Sequence, residues 1–389
     1  VSYPPRMLLT GTGRLAPDGP SPWALLVRDG RIAWVGSPSE ATAGERIELG
    51  SALVTPGLID SHTHPVFDGD RSDEAAARLA GAPYTDGGIL RSVRATRAAD
   101  DATLERLVET RLRSALAAGT TTVECKSGYG LSLAEELRHL SIIGRVAERM
   151  PLRVIRTFLG AHTVPTEFQA AEYAAHVADE MIPAVAAEGA AEFVDVFADA
   201  GFFDLAATER IGRAALDAGL GLRLHAEQLA RTGAAALGVR LGAASVDHLE
   251  QLDASGVAIL GGSTTVATLL PAPALILRDR MPPARALLEA GASVALASDA
   301  NAGTYGAFGS MPLVIGLGAT LLGMTVVEAL TAATEGAAAA LQRPELGSLR
   351  PGMAADLVAW DAEHEGAFAL HLGAVRPHRI WIAGEEIAL

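Results

Sequence analysis

Residues 53 to 65 read LVTPGLIDSHTHP: an apolar run, a Pro-Gly pair, then an aspartate and two histidines one residue apart. Side chains alternate across a strand, so His62 and His64 share a face, and two imidazoles at that spacing can close on one ion. The stretch predicts a strand that ends in a metal site.

Outward from it, short apolar segments alternate with helical ones, the pattern of a parallel sheet. Strand candidates are LVTPGLIDSH, TTTVECKSG, RVIRTFLGAH, AEFVDVFAD, GLRLHAEQ, ASVDHLEQ, STTVATLLP and SVALASDA, eight in all. Between them lie helical stretches such as LERLVETRLRSALAAG, stopped by Gly119, and PPARALLEAGA, bracketed by Pro282 and Gly291. Eight such units predict an α/β fold, a closed TIM-type (β/α)8 barrel. An open doubly wound sheet fits less well, because no GxGxxG follows the first strand. Both flanks read differently. WALLVRDGRIAWVGS carries an Asp-Gly pair between apolar runs, a hairpin signal, and the carboxyl-terminal HRIWIAGEEIAL is equally β-rich. The two ends are expected to build one small β-sandwich domain, residues 1–55 with 344–389, around a barrel of residues 56–343.

Acidic residues outnumber basic ones, 46 to 31, and no run of Lys or Arg forms a phosphate-tracking surface, which argues against nucleic acid as a partner. No apolar window is long enough for a membrane span, and VSYPPRMLLTGTG lacks the charged-then-apolar order of a signal peptide. A cytoplasmic protein is expected. The single cysteine, Cys125, cannot form an internal disulfide and reads as a buried small residue. The Ala- and Leu-rich segment 313–341 is compatible with a homodimer.

In a TIM barrel the chemistry sits at the carboxyl ends of the strands. There this chain places His62 and His64 (first strand), His162 (third), His225 (fifth), His248 (sixth) and Asp299 (eighth). A lone histidine is commonly a hydrogen-bonded structural residue; five crowding one mouth call for a cation or a substrate. His62, His64, His225 and Asp299 would form a mixed nitrogen and oxygen sphere with a position left for water. Such ligands suit zinc or iron. Asp60 is read as an orienting or hydrogen-bonded strand-end residue, and Glu227 as structural.

PGLIDSHTH, a later lone histidine and SDAN at strand eight resemble the amidohydrolase superfamily of metal-dependent barrel hydrolases. Within it the chain is similar to the imidazolonepropionase branch through GDR (69–71), GAPYTDGGILRSVRATRAA (81–99), TTTVECKSGYGL (120–131), TFLGAHTVP (157–165), FVDVF (193–197), HAEQL (225–229) and ASVDHLE (244–250). That resemblance implies hydrolysis of the ring amide of 4-imidazolone-5-propanoate to N-formimidoyl-glutamate. It also implies one divalent metal on His62, His64, His225 and Asp299, with substrate contacts from Arg71, Tyr84, Tyr129 and His162. A propionate calls for a guanidinium fork, which Arg71 supplies; the two tyrosines read equally as packing aromatics. Asp299 is expected to take the water proton and His248 to hydrogen-bond the nucleophile or the oxyanion. Gln228 stands where related deaminases carry an acid; it cannot shuttle a proton but can hydrogen-bond the ring. The chain departs from the family pattern at Pro65, at Asp199 and Ala200, and in NAGTYGAFGS after strand eight, where Asn301 is kept and is expected to contact the substrate. These departures leave an alternative: another small cyclic amide or imidazole-derived substrate, for a lactam hydrolase or a deaminase.

Overall fold

The computed structural model describes residues 7–41, 45–81 and 87–388. Eight parallel strands form the central sheet in sequential order: β6 (Leu58–Asp60), β7 (Thr120–Lys126), β8 (Arg153–Ala161), β9 (Phe193–Ala198), β10 (Gly221–Ala226), β11 (Ser245–His248), β12 (Val266–Leu269) and β13 (Val294–Leu296). Beyond the last of these, Asp299 N–H donates to the His62 carbonyl (3.0 Å) and His64 N–H to the Ala300 carbonyl (2.9 Å). These bonds close the ring between its first and eighth strands. The helices wrap the outside by the usual arithmetic: on Asp101–Ala117, Leu104, Val108 and Leu112 recur every four residues, and all three are buried. Gly119 follows that helix at φ +89°, a left-handed turn open to glycine at little cost. Among the described residues no helix is long and apolar enough to cross a membrane.

Two four-stranded sheets lie outside the barrel. One has the order β3-β2-β1-β4, from β1 (Met7–Gly11), β2 (Trp23–Arg28), β3 (Arg31–Gly36) and β4 (Glu45–Glu48). The other runs β16-β15-β14-β5, from β5 (Val54–Pro56), β14 (Leu357–Trp360), β15 (Pro377–Ile382) and β16 (Glu385–Ile387). Leu9, Trp23 and Leu25 of the first share one core with Leu357, Ala359 and Trp381 of the second. The hairpin turn between β2 and β3 falls on Asp29 and Gly30, both at positive φ.

The stretch LVTPGLIDSH, read above as one strand, is two. Val54–Pro56 pairs antiparallel with β14, whereas Leu58–Asp60 pairs parallel with β7. The chain changes sheets at Gly57, whose N–H donates to the Asp356 carbonyl while Leu58 N–H donates to that of Gly119. A β-carbon on Gly57 would lie 2.1 Å from Thr121 Oγ1. Gly57→Ala should therefore overpack this junction and cost about 1–3 kcal/mol, read as a lower midpoint of denaturant unfolding.

Candidate metal centre

His62 and His64 emerge just beyond β6 on an extended segment held on both sides. Thr63, between them, faces away from the mouth: its N–H donates to Glu124 Oε2 (3.1 Å) and its hydroxyl to the Glu124 carbonyl (2.6 Å). Period-two alternation then turns both imidazoles inward. His225 comes from inside β10. Its Nε2 lies 3.1 Å from His62 Nε2, which lies 3.3 Å from His64 Nε2. Asp299, at φ +49°, brings Oδ1 to 3.3 Å from His64 Nε2 and 3.7 Å from His62 Nε2.

Proton placement shows what the cluster needs. His62 Nδ1 is 2.6 Å from Asp247 Oδ2, and His225 Nδ1 is 3.0 Å from Asp195 Oδ1. A carboxylate can only accept, so each ring carries its proton on Nδ1 and turns a bare lone pair to the centre. Burial holds the pKa values of His62 and His64 below the ordinary histidine range, which keeps these rings neutral. The lone pairs of His62 and His225, facing each other at 3.1 Å, repel unless a cation lies between them. A tetrahedral ion bonded at about 2.0–2.1 Å gives donor separations of roughly 3.3 Å. The three imidazoles of His62, His64 and His225 thus form a candidate site for a divalent cation, and Asp299 borders it in a second group with His62 and His248.

Beneath the donors lies a belt of buried charge. Lys126 Nζ is 2.8 Å from both Glu124 Oε1 and Asp195 Oδ2. Arg223 donates to Asp247 Oδ2 (2.9 Å), to the Ser61 carbonyl (2.7 Å) and to the Ala340 carbonyl (2.9 Å). Three acids against two bases leave one excess negative charge, and Asp299 adds a second. A divalent cation balances both.

These belt residues were not singled out in the sequence. The signal was there: Asp195 and Arg223 stand two before Phe197 and His225 on inward-facing positions, and a polar residue at such a position of a buried strand needs a partner. Asp247 faces inward by the same alternation, which would turn His248 outward. Positive φ at His248 (+83°) and Leu249 (+70°) breaks the pattern and returns the imidazole to the mouth, 5.2 Å from the His225 ring centroid. Burial opposes protonation of His248, but Glu250, with Oε1 3.5 Å from Nδ1, and the nearby Asp299 outweigh it and draw its pKa up to about 9.

The remaining sequence-predicted residues form the wall around the donors. Arg71, His162, Tyr129, Gln228 and Asn301 all line the cavity of about 30 Å³ above them. A larger cleft of about 470 Å³ adjoins it and shares Arg71, Asn301 and Thr304. Arg71 is buried and held by a bidentate pair with Glu74 (2.8 and 2.5 Å). His162 stacks on His64 and places Nδ1 2.8 Å from the Gly128 carbonyl, so that Nε2 is its accepting atom. The backbone of Gln228 is fixed by Asp199, whose carboxylate accepts from the N–H groups of Gln228, Leu229 and Ala230. The Asn301 amide is engaged within its own loop, to the Asp299 carbonyl, Thr304 Oγ1 and the N–H groups of Gly303 and Thr304. Tyr84 lies outside the described residues. Asp60 proves a strand-end tether, accepting from Ser298 N–H and Oγ, and Glu227 turns away to the Gly233 N–H. Cys125 is buried and free.

The model of the amidohydrolase family matches residues 53–387. The chain belongs to the amidohydrolase family. This amidohydrolase is 46% identical over 363 residues to the imidazolonepropionase of Ralstonia nicotianae, covering 90% of this chain and 89% of that one. It is 45% identical over 369 residues to the imidazolonepropionase of Saccharopolyspora erythraea, with 94% and 93% covered. Among solved structures, 5-methylcytosine deaminase from Klebsiella pneumoniae superposes with a TM-score of 0.79 at 16% identity, covering 98% of each chain. A zinc-bound adenosine deaminase from Xanthomonas campestris gives 0.73 at 19% identity, covering 98% of this amidohydrolase and 92% of that chain. At such identities the structural likeness speaks for the fold alone.

Proposed function

We infer that this protein hydrolyses the ring amide of 4-imidazolone-5-propanoate, opening the ring to N-formimidoyl-L-glutamate in histidine degradation. What supports this reading is the cluster of His62, His64 and His225 with Asp299 beside it, under a wall of Arg71, Tyr129, His162 and Gln228, in a chain so similar to imidazolonepropionases over most of its length.

His62, His64, His225 and Asp299 would hold one divalent cation, which supplies a Lewis acid for the ring carbonyl and makes water easier to deprotonate. Either zinc or iron suits the donors. Around it the protein's own groups have distinct tasks. The Asp299 carboxylate accepts the proton of the attacking water and returns it to the departing ring nitrogen. His248, kept protonated by Glu250, donates to the oxygen that gains charge as the amide carbon becomes tetrahedral. His162 presents Nε2, and Tyr129 and Gln228 offer hydrogen-bonding groups that fix the ring plane; Tyr84 is assigned a substrate contact by the resemblance alone. Arg71 is assigned to the propionate by its charge, while its Nε and Nη2 edge stays paired with Glu74. Asn301 shapes the loop that borders the pocket.

Gln228 disfavours deamination, because a carboxamide cannot protonate a ring nitrogen. The test is direct: metal-loaded protein should remove the ultraviolet absorbance of the imidazolone with formation of the formimidoyl product. Fully loaded protein that leaves the imidazolone intact would overturn the reading in favour of another cyclic amide.

A further inference from the structure

Two wall residues, Tyr129 and His162, depend on one loop, residues 127–131. That loop is gripped from beneath by a residue that touches neither pocket nor metal donors. Glu136, fully buried in the first turn of the helix Leu133–Ala147, turns its carboxylate back into the loop. Oε2 accepts from the Gly128 N–H (2.9 Å), and Oε1 accepts from those of Gly130 (2.8 Å) and Leu131 (2.7 Å). On the other side, Arg97 Nε donates to the Gly130 carbonyl at 2.6 Å. The glycines are required by this closeness: a β-carbon on Gly130 would lie 2.7 Å from Glu136 N, and one on Gly128 would lie 3.0 Å from His162 Nδ1.

With its N–H held by Glu136, Gly128 presents its carbonyl to His162 Nδ1 at 2.8 Å. A carbonyl accepts only, so it fixes the proton on Nδ1 and leaves Nε2 as an acceptor toward the pocket. The next residue, Tyr129, is set by the same backbone, with its hydroxyl accepting from Ala302 N–H in the strand-eight loop at 3.4 Å. We propose that Glu136 is a positioning residue for substrate binding: through three backbone N–H groups it sets both the tautomer of His162 and the placement of Tyr129. The step from this geometry to turnover rests on the function inferred above; the step to His162 does not.

Glu136→Gln is nearly isosteric but sets an amide NH2 against loop N–H donors. A buried backbone donor left without its acceptor costs a factor of about 5–100 in the equilibrium it supports. The variant should raise KM by about tenfold or more, with kcat changed far less and metal content unaltered. In selectively 15N-histidine-labelled protein, with His162 assigned through His162→Gln, the wild type should show a neutral ring protonated on Nδ1; Glu136→Gln should give a tautomer mixture. Arg97→Met releases the loop from its half-exposed side and should move KM the same way, which decides the matter if Glu136→Gln does not fold. Leu140→Ala, on the same helix and away from the loop, should lower Tm and leave KM in place. Unchanged KM and an unchanged His162 tautomer in folded Glu136→Gln, or in Arg97→Met should the former not fold, would overturn the proposal. Wild-type protein inert toward the imidazolone would instead strike at the function, while the tautomer still judged Glu136.

Discussion

Asp299→Asn is expected to lower kcat/KM by about 10³-fold or more, because one substitution removes both the proton acceptor and the only anionic donor of the centre. The carboxylate is buried between His64 and His248. Burial by itself would raise its pKa, but the hydrogen bond from His64 and the charge on His248 outweigh that and hold it below the ordinary range. It is therefore ionised and ready to accept at neutral pH. The amide cannot accept a proton and binds cations less tightly. Loss of turnover with weaker metal retention, read by activity and by metal content after dialysis, is the expected pair of results. A variant that keeps near-native turnover would remove Asp299 from the chemistry.

The second large effect is expected at a residue that lines neither the pocket nor the metal centre. Lys126→Met should destabilise the fold by about 3–5 kcal/mol, since it leaves Glu124 and Asp195 buried without their shared counter-charge. Burial alone would discharge this ammonium, yet Asp195 and Glu124 together raise its pKa above the ordinary lysine range, and Asp195 is held well below its own. The signs agree: a raised lysine stabilises the fold below its unfolded pKa, and a lowered aspartate stabilises it above its unfolded pKa. Both contributions are present at neutral pH. Acid removes the aspartate's share and alkali the lysine's. The damage should reach the metal centre too, because Asp195 also orients His225. Glu124→Gln added to Lys126→Met should recover part of the stability by removing one stranded charge. If Lys126→Met alone unfolds at the wild-type denaturant midpoint, the belt is not what holds the donors.

The barrel was legible because its strands are buried on both faces and read as near-continuous apolar runs with polar ends. The site was legible for the same reason, since His62, His64, His225 and Asp299 interrupt those runs where a TIM barrel opens. Two things were hidden. The division at Gly57 is invisible to periodicity, because β5 and β6 are both apolar and extended and only their partners differ. The charge belt is not legible in sequence because Glu124, Lys126, Asp195, Arg223 and Asp247 are scattered over four strands, and only the closed barrel brings them within hydrogen-bonding distance. Inward-facing charge flagged that partners were required; it did not say which. The same holds for Glu136 and Asp199, ordinary helix and loop acids in sequence, which prove to be the anchors of backbone N–H groups.

X-ray data collected on either side of the absorption edge of the bound metal test the central claim most directly. One anomalous peak is predicted, bonded to Nε2 of His62, His64 and His225 and to the Asp299 carboxylate, with Asp195 and Asp247 behind their rings. A peak elsewhere, or an ion that leaves one of these four donors unbound, would contradict the account.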